Sequence, residues 1–277
     1  MKTILVPVDF SEQSEYALEV AASIAKKQDA EIVVLHMMGI PDSFLTKDEK
    51  QEVFNAIYFM KITRQKFEKM LDKDYLEGID VTQAVKTHTV FSEINEVANE
   101  YEAELIVMGS TGASGVKEVF VGSNTEKVVR TADIPVLVIK ERIHDFKIDK
   151  AVFVTDFELD TLNAFIRARE FFKLFGVEPE VLYINIPEKF MSTREMKLKA
   201  YNFLVDVGMD NKKFKDNIVL YNDYTAEKGI FEYCGEAGVD AIAIPTHGRK
   251  GVGHFFLGSM GEDIANHASI PVVTFKI

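Results

Sequence analysis

The chain writes the same pattern twice, and that duplication constrains its fold more than any other feature. Ile4 to Phe10 (ILVPVDF) returns as Ala151 to Phe157 (AVFVTDF), and VVLHMM, containing Met37, returns as EVLYIN, containing Ile184, both at a separation of 147 residues. Further along the separation becomes 136: Gly112 pairs with Gly248, Gly122 with Gly258, Ser123 with Ser259, and the IPV at Ile134 with the IPV at Ile270. The second copy is therefore 11 residues shorter, and the deletion lies between its second strand and the glycine-bearing loop, where copy one carries the segment around Asp48 to Gly78. A length of 277 residues gives each copy enough chain for its own core. The polar stretch Glu141 to Lys150 separates two apolar strands, so the expected domains are 1–146 and 147–277, joined by a short linker and not by a flexible tether.

Within a copy, apolar β-rich runs alternate with helical patterns. Strands are expected over Thr3 to Val8, Glu31 to His36, Asp80 to Thr89, Glu104 to Met108 and Pro135 to Lys140. Most are near-continuous apolar runs, which signify burial on both faces and hence a parallel sheet covered by helices. Ser11 is placed to cap a helix in which Ala17, Leu18, Ala21, Ile24 and Ala25 recur at helical spacing, and Gln51 to Leu71, Glu93 to Tyr101 and Asn124 to Thr131 follow the same period. The fold class is thus α/β, doubly wound, with ligands expected beyond the carboxyl ends of the strands.

Composition excludes several functions. Thirty-two basic against 44 acidic side chains give a net charge of −12, without a basic stretch to neutralise nucleic acid or an anionic membrane. The single cysteine, Cys234, supplies neither a disulfide nor a thiolate metal cluster and suits a small buried apolar position, so no metal site is expected. Neither a signal-peptide core nor an 18-residue apolar run is present, and the expected location is the cytoplasm.

The chemistry concentrates in one loop. After the strand ELIVM comes Gly109-Ser-Thr-Gly112, then nine residues, then Gly122-Ser123-Asn124 opening a helix. A glycine at a strand end lets backbone approach a ligand, another permits a left-handed turn, and a third begins a helix whose free N–H groups attract phosphate. Glycines that merely punctuate a crossover are the plain alternative. No P-loop and no dinucleotide-binding glycine fingerprint occurs anywhere in the chain.

Together, VPVDFS, VLHMM, VMGSTG, the spaced glycines and the closing PVLVIK resemble the universal stress protein family, and the resemblance covers both halves as in a tandem member. It implies two five-stranded parallel-sheet domains in the strand order 3-2-1-4-5, packed as an internal pseudo-dimer through their last strands. It also implies an ATP site in copy one. There Pro7, Val8 and Asp9 would shape the nucleoside end, Met37 would lie beside the adenine, Met108 and Gly109 would pass under the ribose, and Gly112, Gly122, Ser123 and Asn124 would hold the phosphates, with Mg²⁺ carried on them. Duller readings stand beside these. Asp9 would simply orient the turn into the Ser11 helix, His36 would be a packed core histidine, and Lys117 a solvated loop residue.

Copy two departs from the pattern. Its first motif glycine is Pro245, which has no N–H and adds a ring where the family backbone passes the sugar. Asp156, Ile184, Gly248, Gly258 and Ser259 persist as a degenerate second site, made locally basic by His247, Arg249, Lys250 and His254.

No catalytic residue is assigned: no His-Glu-x2-His and no nucleophile elbow occur. The leading reading is an ATP-binding regulatory or stress-response module whose altered surface is read by a protein partner, with a further homodimer compatible. Two rivals remain, a slow ATPase or autophosphorylating protein and a nucleotide-independent binder of a small or hydrophobic molecule. For the latter, Phe54, Ile57, Tyr58, Phe67 and Met70 would either line a pocket or form core.

Overall fold

The computed structural model describes residues 1–37, 49–86, 94–110, 123–208, 217–246 and 268–277, with backbone alone for 49–56 and 123. In the first half, β1 (Thr3–Pro7), β2 (Glu31–Met37), β3 (Val81–Lys86), β4 (Leu105–Gly109) and β5 (Val136–Ile139) alternate with α1 (Glu12–Gln28), α2 (Glu49–Leu71), α3 (Ile94–Glu100) and α4 (Ser123–Thr131). In the second, β6 (Ala151–Val154), β7 (Glu180–Asn185), β8 (Ile218–Asn222), β9 (Ala241–Thr246) and β10 (Val272–Lys276) accompany α5 (Leu162–Lys173), α6 (Thr193–Asp206) and α7 (Ala226–Ala237). All the strands form a single sheet ordered β3-β2-β1-β4-β5-β10-β9-β6-β7-β8. Each half has the expected 3-2-1-4-5 order with parallel neighbours, and the seam is the antiparallel pair β5–β10, in register from Val138 opposite Val272 to Val136 opposite Thr274. The edge strands of the two halves thus pair with each other, as the pseudo-dimer requires.

Continuous apolar runs are buried on both faces here because successive side chains point to opposite sides. Ile4 and Val6 join one core layer with α1 and α2, whereas Leu5 joins another with α3 and α4. The first layer does not stop at the seam. It runs from Leu137 and Ile139 of β5 to Val273 and Phe275 of β10 and on to Phe165, Phe172 and Phe203 of α5 and α6. The linker takes part in it: Phe146 and Ile148 are buried, and the Phe146 carbonyl accepts from Lys27 Nζ at 2.9 Å and Ser23 Oγ at 3.4 Å. The segment between the halves is therefore a packed element of the core. Cys234 lies buried in the layer under α7, and burial pushes its thiol up to about 12.

α1 starts where the sequence places it. Ser11 Oγ accepts from Ser14 N, Glu12 and Glu15 occupy the first turn, and Lys26 and Lys27 the last, complementing the helix dipole at both ends. The length difference between the copies falls largely in the second crossover, where α2 has 23 residues and α6 has 14. Of the residues offered as core or pocket, Phe67 and Met70 are core, Ile57 and Tyr58 are exposed on α2, and the Phe54 side chain lies outside the described residues.

Candidate functional site

In the front half, the topological switch point is the crevice between β1 and β4, where successive crossovers leave in opposite directions. Pro7 ends β1, Val8 and Asp9 follow it, Met37 ends β2, and Met108 and Gly109 end β4, so these residues are brought to one carboxyl edge. Ser123 opens α4, and Asn124 is exposed in its first turn. Gly112, Gly122 and Lys117 lie outside the described residues.

The chain leaves β1 through a fixed turn. Val8 N extends the β1–β2 ladder by donating to Leu35 O at 2.8 Å, and His36 Nδ1 meets the Val8 carbonyl at 2.8 Å. Asp9 Oδ1 accepts from Ser11 N at 3.0 Å and from Ser11 Oγ at 2.5 Å. Asp9 therefore does orient the entry into α1, the plainer of its two sequence readings. Between them Phe10 adopts a left-handed φ of 64°, a conformation that costs a bulky residue on the order of 1–3 kcal/mol. It is held there by rings: His36 packs at 4.5 Å and Phe67 edge-on at 5.1 Å. His36 is thus a packed residue, and burial, reinforced by nearby Lys66, holds its imidazole below the usual range.

On the other side of the crevice, the close approach permitted by Gly109 is to protein. A Cβ there would lie 2.8 Å from the carbonyl carbon and oxygen of Gln13, so the absent side chain admits the first turn of α1 across the end of β4. Thr125, buried at the start of α4, donates from Oγ1 to the Gly109 carbonyl at 2.8 Å and fixes that helix terminus beside the strand end. Ser110 was missed by sequence reasoning. Its N–H donates to Ile139 O at 2.9 Å, but its Oγ is buried without a hydrogen-bond partner among the described residues, in a side chain only 1% exposed. The signal available in the sequence was a hydroxyl residue directly after the first glycine, with Thr246 at the matching place in copy two.

This arrangement has relatives. The chain matches the universal stress protein family over residues 1–140 and again over 147–276. It belongs to the universal stress protein family. Among curated members, the universal stress protein MJ0531 of Methanocaldococcus jannaschii is 32% identical over 153 residues, covering 50% of this chain and 82% of that protein. YxiE of Bacillus subtilis is 30% identical over 152 residues, covering 50% and 97% respectively. A universal stress protein from Archaeoglobus fulgidus shares the fold across both halves, with a TM-score of 0.64 at 22% identity over 99% of this chain and 96% of its own. The two family matches fall on the two halves of the ten-stranded sheet, so the duplication read in the sequence is a duplication of universal stress protein units.

The second unit repeats the turn with different chemistry. Phe157 also has a left-handed φ, 61°, and packs against Tyr183 and Phe203 where the first unit uses His36 and Phe67. The helix that follows begins later: Leu159–Thr161 form a 3-10 turn, and α5 starts without a side-chain cap. Thr155 Oγ1 accepts from Phe157 N at 2.9 Å and shares a hydrogen with Thr161 Oγ1 at 3.1 Å. Lys199 of α6 donates to the Asp156 carbonyl at 3.1 Å and to Glu158 at 2.7 Å, while burial holds the Asp156 carboxyl above its usual range. Ile184 is buried in β7, and Pro245 is buried in β9 opposite Phe275. Gly248, Gly258 and Ser259 lie outside the described residues, as do His247, Arg249, Lys250 and His254. Among the described residues no helix is long and apolar enough to cross a membrane.

Proposed function

We propose that the front unit binds an adenine nucleotide, ATP in the first place, at the β1–β4 switch point, and that the protein acts as a nucleotide-responsive regulatory module. The observation that carries this reading is Ser110: a buried hydroxyl without a partner among the described residues, at the strand end where doubly wound folds take their ligands. A buried unpaired polar group costs about 1–3 kcal/mol, and a polar ligand would offset that cost by bonding it. Beside it the start of α4, fixed to Gly109 through Thr125, presents N–H groups and a positive dipole end suited to phosphate. Asp9, Met37, Met108 and Gly109 would form the nucleoside side, and Ser123, Asn124 and the spaced Gly112 and Gly122 the phosphate side, with Mg²⁺ held by the phosphates.

The second unit supports a scaffold role. Its switch-point turn is closed by contacts of its own, through Thr155, Thr161 and Lys199. Calorimetric titration of the full chain with Mg·ATP, together with mass spectrometry of whatever co-purifies, tests the reading. One nucleotide per chain is expected. Absence of both co-purified nucleotide and heat of binding would overturn it, and conversion of bound ATP to ADP within a single-turnover time course would replace the regulatory reading by an enzymatic one.

A further inference from the structure

A second cleft opens in the rear unit, at β7 and β8 and not between β6 and β9, where that unit's switch point falls. It lies beyond the carboxyl ends of β7 and β8, encloses about 780 Å³, and is walled by the segment after β7 and the turn after β8. That volume falls within the range of pockets that hold small organic molecules. Its shape is preset by one buried amide. Asn185 Nδ2 donates to Met191 O at 3.1 Å and to Asn222 Oδ1 at 2.9 Å, and its Oδ1 accepts from Met191 N at 2.9 Å. Both amide protons and the carbonyl are therefore committed to holding the two walls in place, which lowers the backbone ordering cost of binding there.

Two aromatic rings stand over this cleft with almost nothing against them. Phe190 and Tyr224 are 72% and 77% exposed, the highest values for large apolar side chains among the described residues. Met191 and buried Met196 continue the apolar lining. Among the described residues the cleft has a single charged lining group, Asp223, whose side chain is only 10% exposed; its Oδ1 accepts from Tyr224 N at 2.6 Å and lies 3.9 Å from Lys228 Nζ. A carboxylate so shielded from water, beside two open ring faces, selects for positive charge on an apolar body. A neutral apolar molecule would add no charge contact to those that Tyr224 N and Lys228 already make with the carboxylate, and an anion would be repelled by it.

We infer that this cleft is a binding site for a small organic ammonium compound with an aromatic or other apolar body, its cation directed to Asp223 and its body covering Phe190 and Tyr224. The inference is independent of nucleotide binding in the front unit, which uses other strands and other residues.

The test titrates the full chain with tryptamine, phenethylamine and benzyltrimethylammonium as probes of the class, and with tryptophol as the neutral counterpart of tryptamine. Methionine methyl NMR follows Met191 and Met196. At least one cation should bind saturably and shift both methyls, and tryptophol should bind about tenfold more weakly than tryptamine, the scale of a partly desolvated cation–aromatic contact. Phe190→Ala and Tyr224→Ala, at exposed positions that leave the melting temperature unchanged, should each weaken the cation severalfold, and Asp223→Asn should abolish the preference over tryptophol. No saturable shift with any of the three cations overturns the site. Equal affinity for tryptamine and tryptophol, or undiminished affinity in both alanine variants, overturns it equally, whatever the folding behaviour of the Asp223 variant.

Discussion

Thr125 Oγ1 reaches the carbonyl of Gly109 at 2.8 Å, joining the first turn of α4 to the last residue of β4. On the opposite side, Gly109 is pressed against the backbone of Gln13 in α1. One glycine thus serves as the contact between a strand end and the starts of two helices, which is the frame of the switch-point crevice.

Gly109→Ala should therefore destabilise the free protein by about 1–3 kcal/mol, as expected when a Cβ is forced into occupied space. Urea unfolding measures this. Because the cost arises against Gln13 and not against a ligand, a wild-type unfolding midpoint for this variant would contradict the packing described here.

Ser110 separates stability from binding. Ser110→Ala removes a buried hydroxyl that has no partner among the described residues, so stability should stay level or rise by up to about 1 kcal/mol, while ATP affinity should fall about tenfold. Parallel melts and calorimetric titrations make the comparison. A stability loss with unchanged affinity would mean that Ser110 Oγ is bonded within the protein.

His36 gives the fold a dependence on acidity. Its imidazole is held below 6.5, chiefly by burial, so the native state binds fewer protons than the unfolded chain near that pH. The contribution is fully present above the unfolded value and is lost as pH falls through the folded one. His36→Tyr, which installs the residue type found as Tyr183 in the second unit, should flatten this part of the profile. Urea midpoints at about pH 7.5 and about pH 5, a span that brackets histidine titration, decide it, and identical pH slopes for wild type and variant would refute the assignment.

Phe146 tests whether the halves stand or fall together. It is 2% exposed, packs edge-on to Phe175 at 6.0 Å, and belongs to the layer shared by both units. Phe146→Ala should cost about 3–5 kcal/mol and lower a single unfolding transition. A calorimetric trace that splits, leaving one half at its original melting temperature, would show that the units unfold independently.

Much of this was legible from spacing. Strands announced by apolar runs begin and end within a residue or two of expectation in β1, β2, β4 and β5, because runs such as TILVP are buried on both faces and tolerate no other element. β3 covers Val81–Lys86 within the expected Asp80 to Thr89, and 87–93 lie outside the described residues. The candidate site was legible in its location and less so in its reasons. Gly109 looks like a place for a ligand because a sequence cannot show that the next contact is the backbone of Gln13, nearly a hundred residues earlier. The rings around Phe10 and Phe157 escaped notice because Phe67 and Phe203 come from distant helices and His36 faces a tyrosine counterpart, so neither composition nor period links them. The cleft near Asn185 has no motif at all; it exists only because two loops of ordinary composition are clasped by one amide.

The reversed seam at the middle of the sheet carries a consequence for biogenesis. β5 begins at Val136, and the strand that covers it begins only at Val272, so a chain growing on the ribosome holds a finished front unit with a bare, apolar flank until nearly all of the rear unit has been made. During that interval neighbouring nascent chains can dock on one another through the unprotected strand, and slow translation of the rear unit prolongs the hazard.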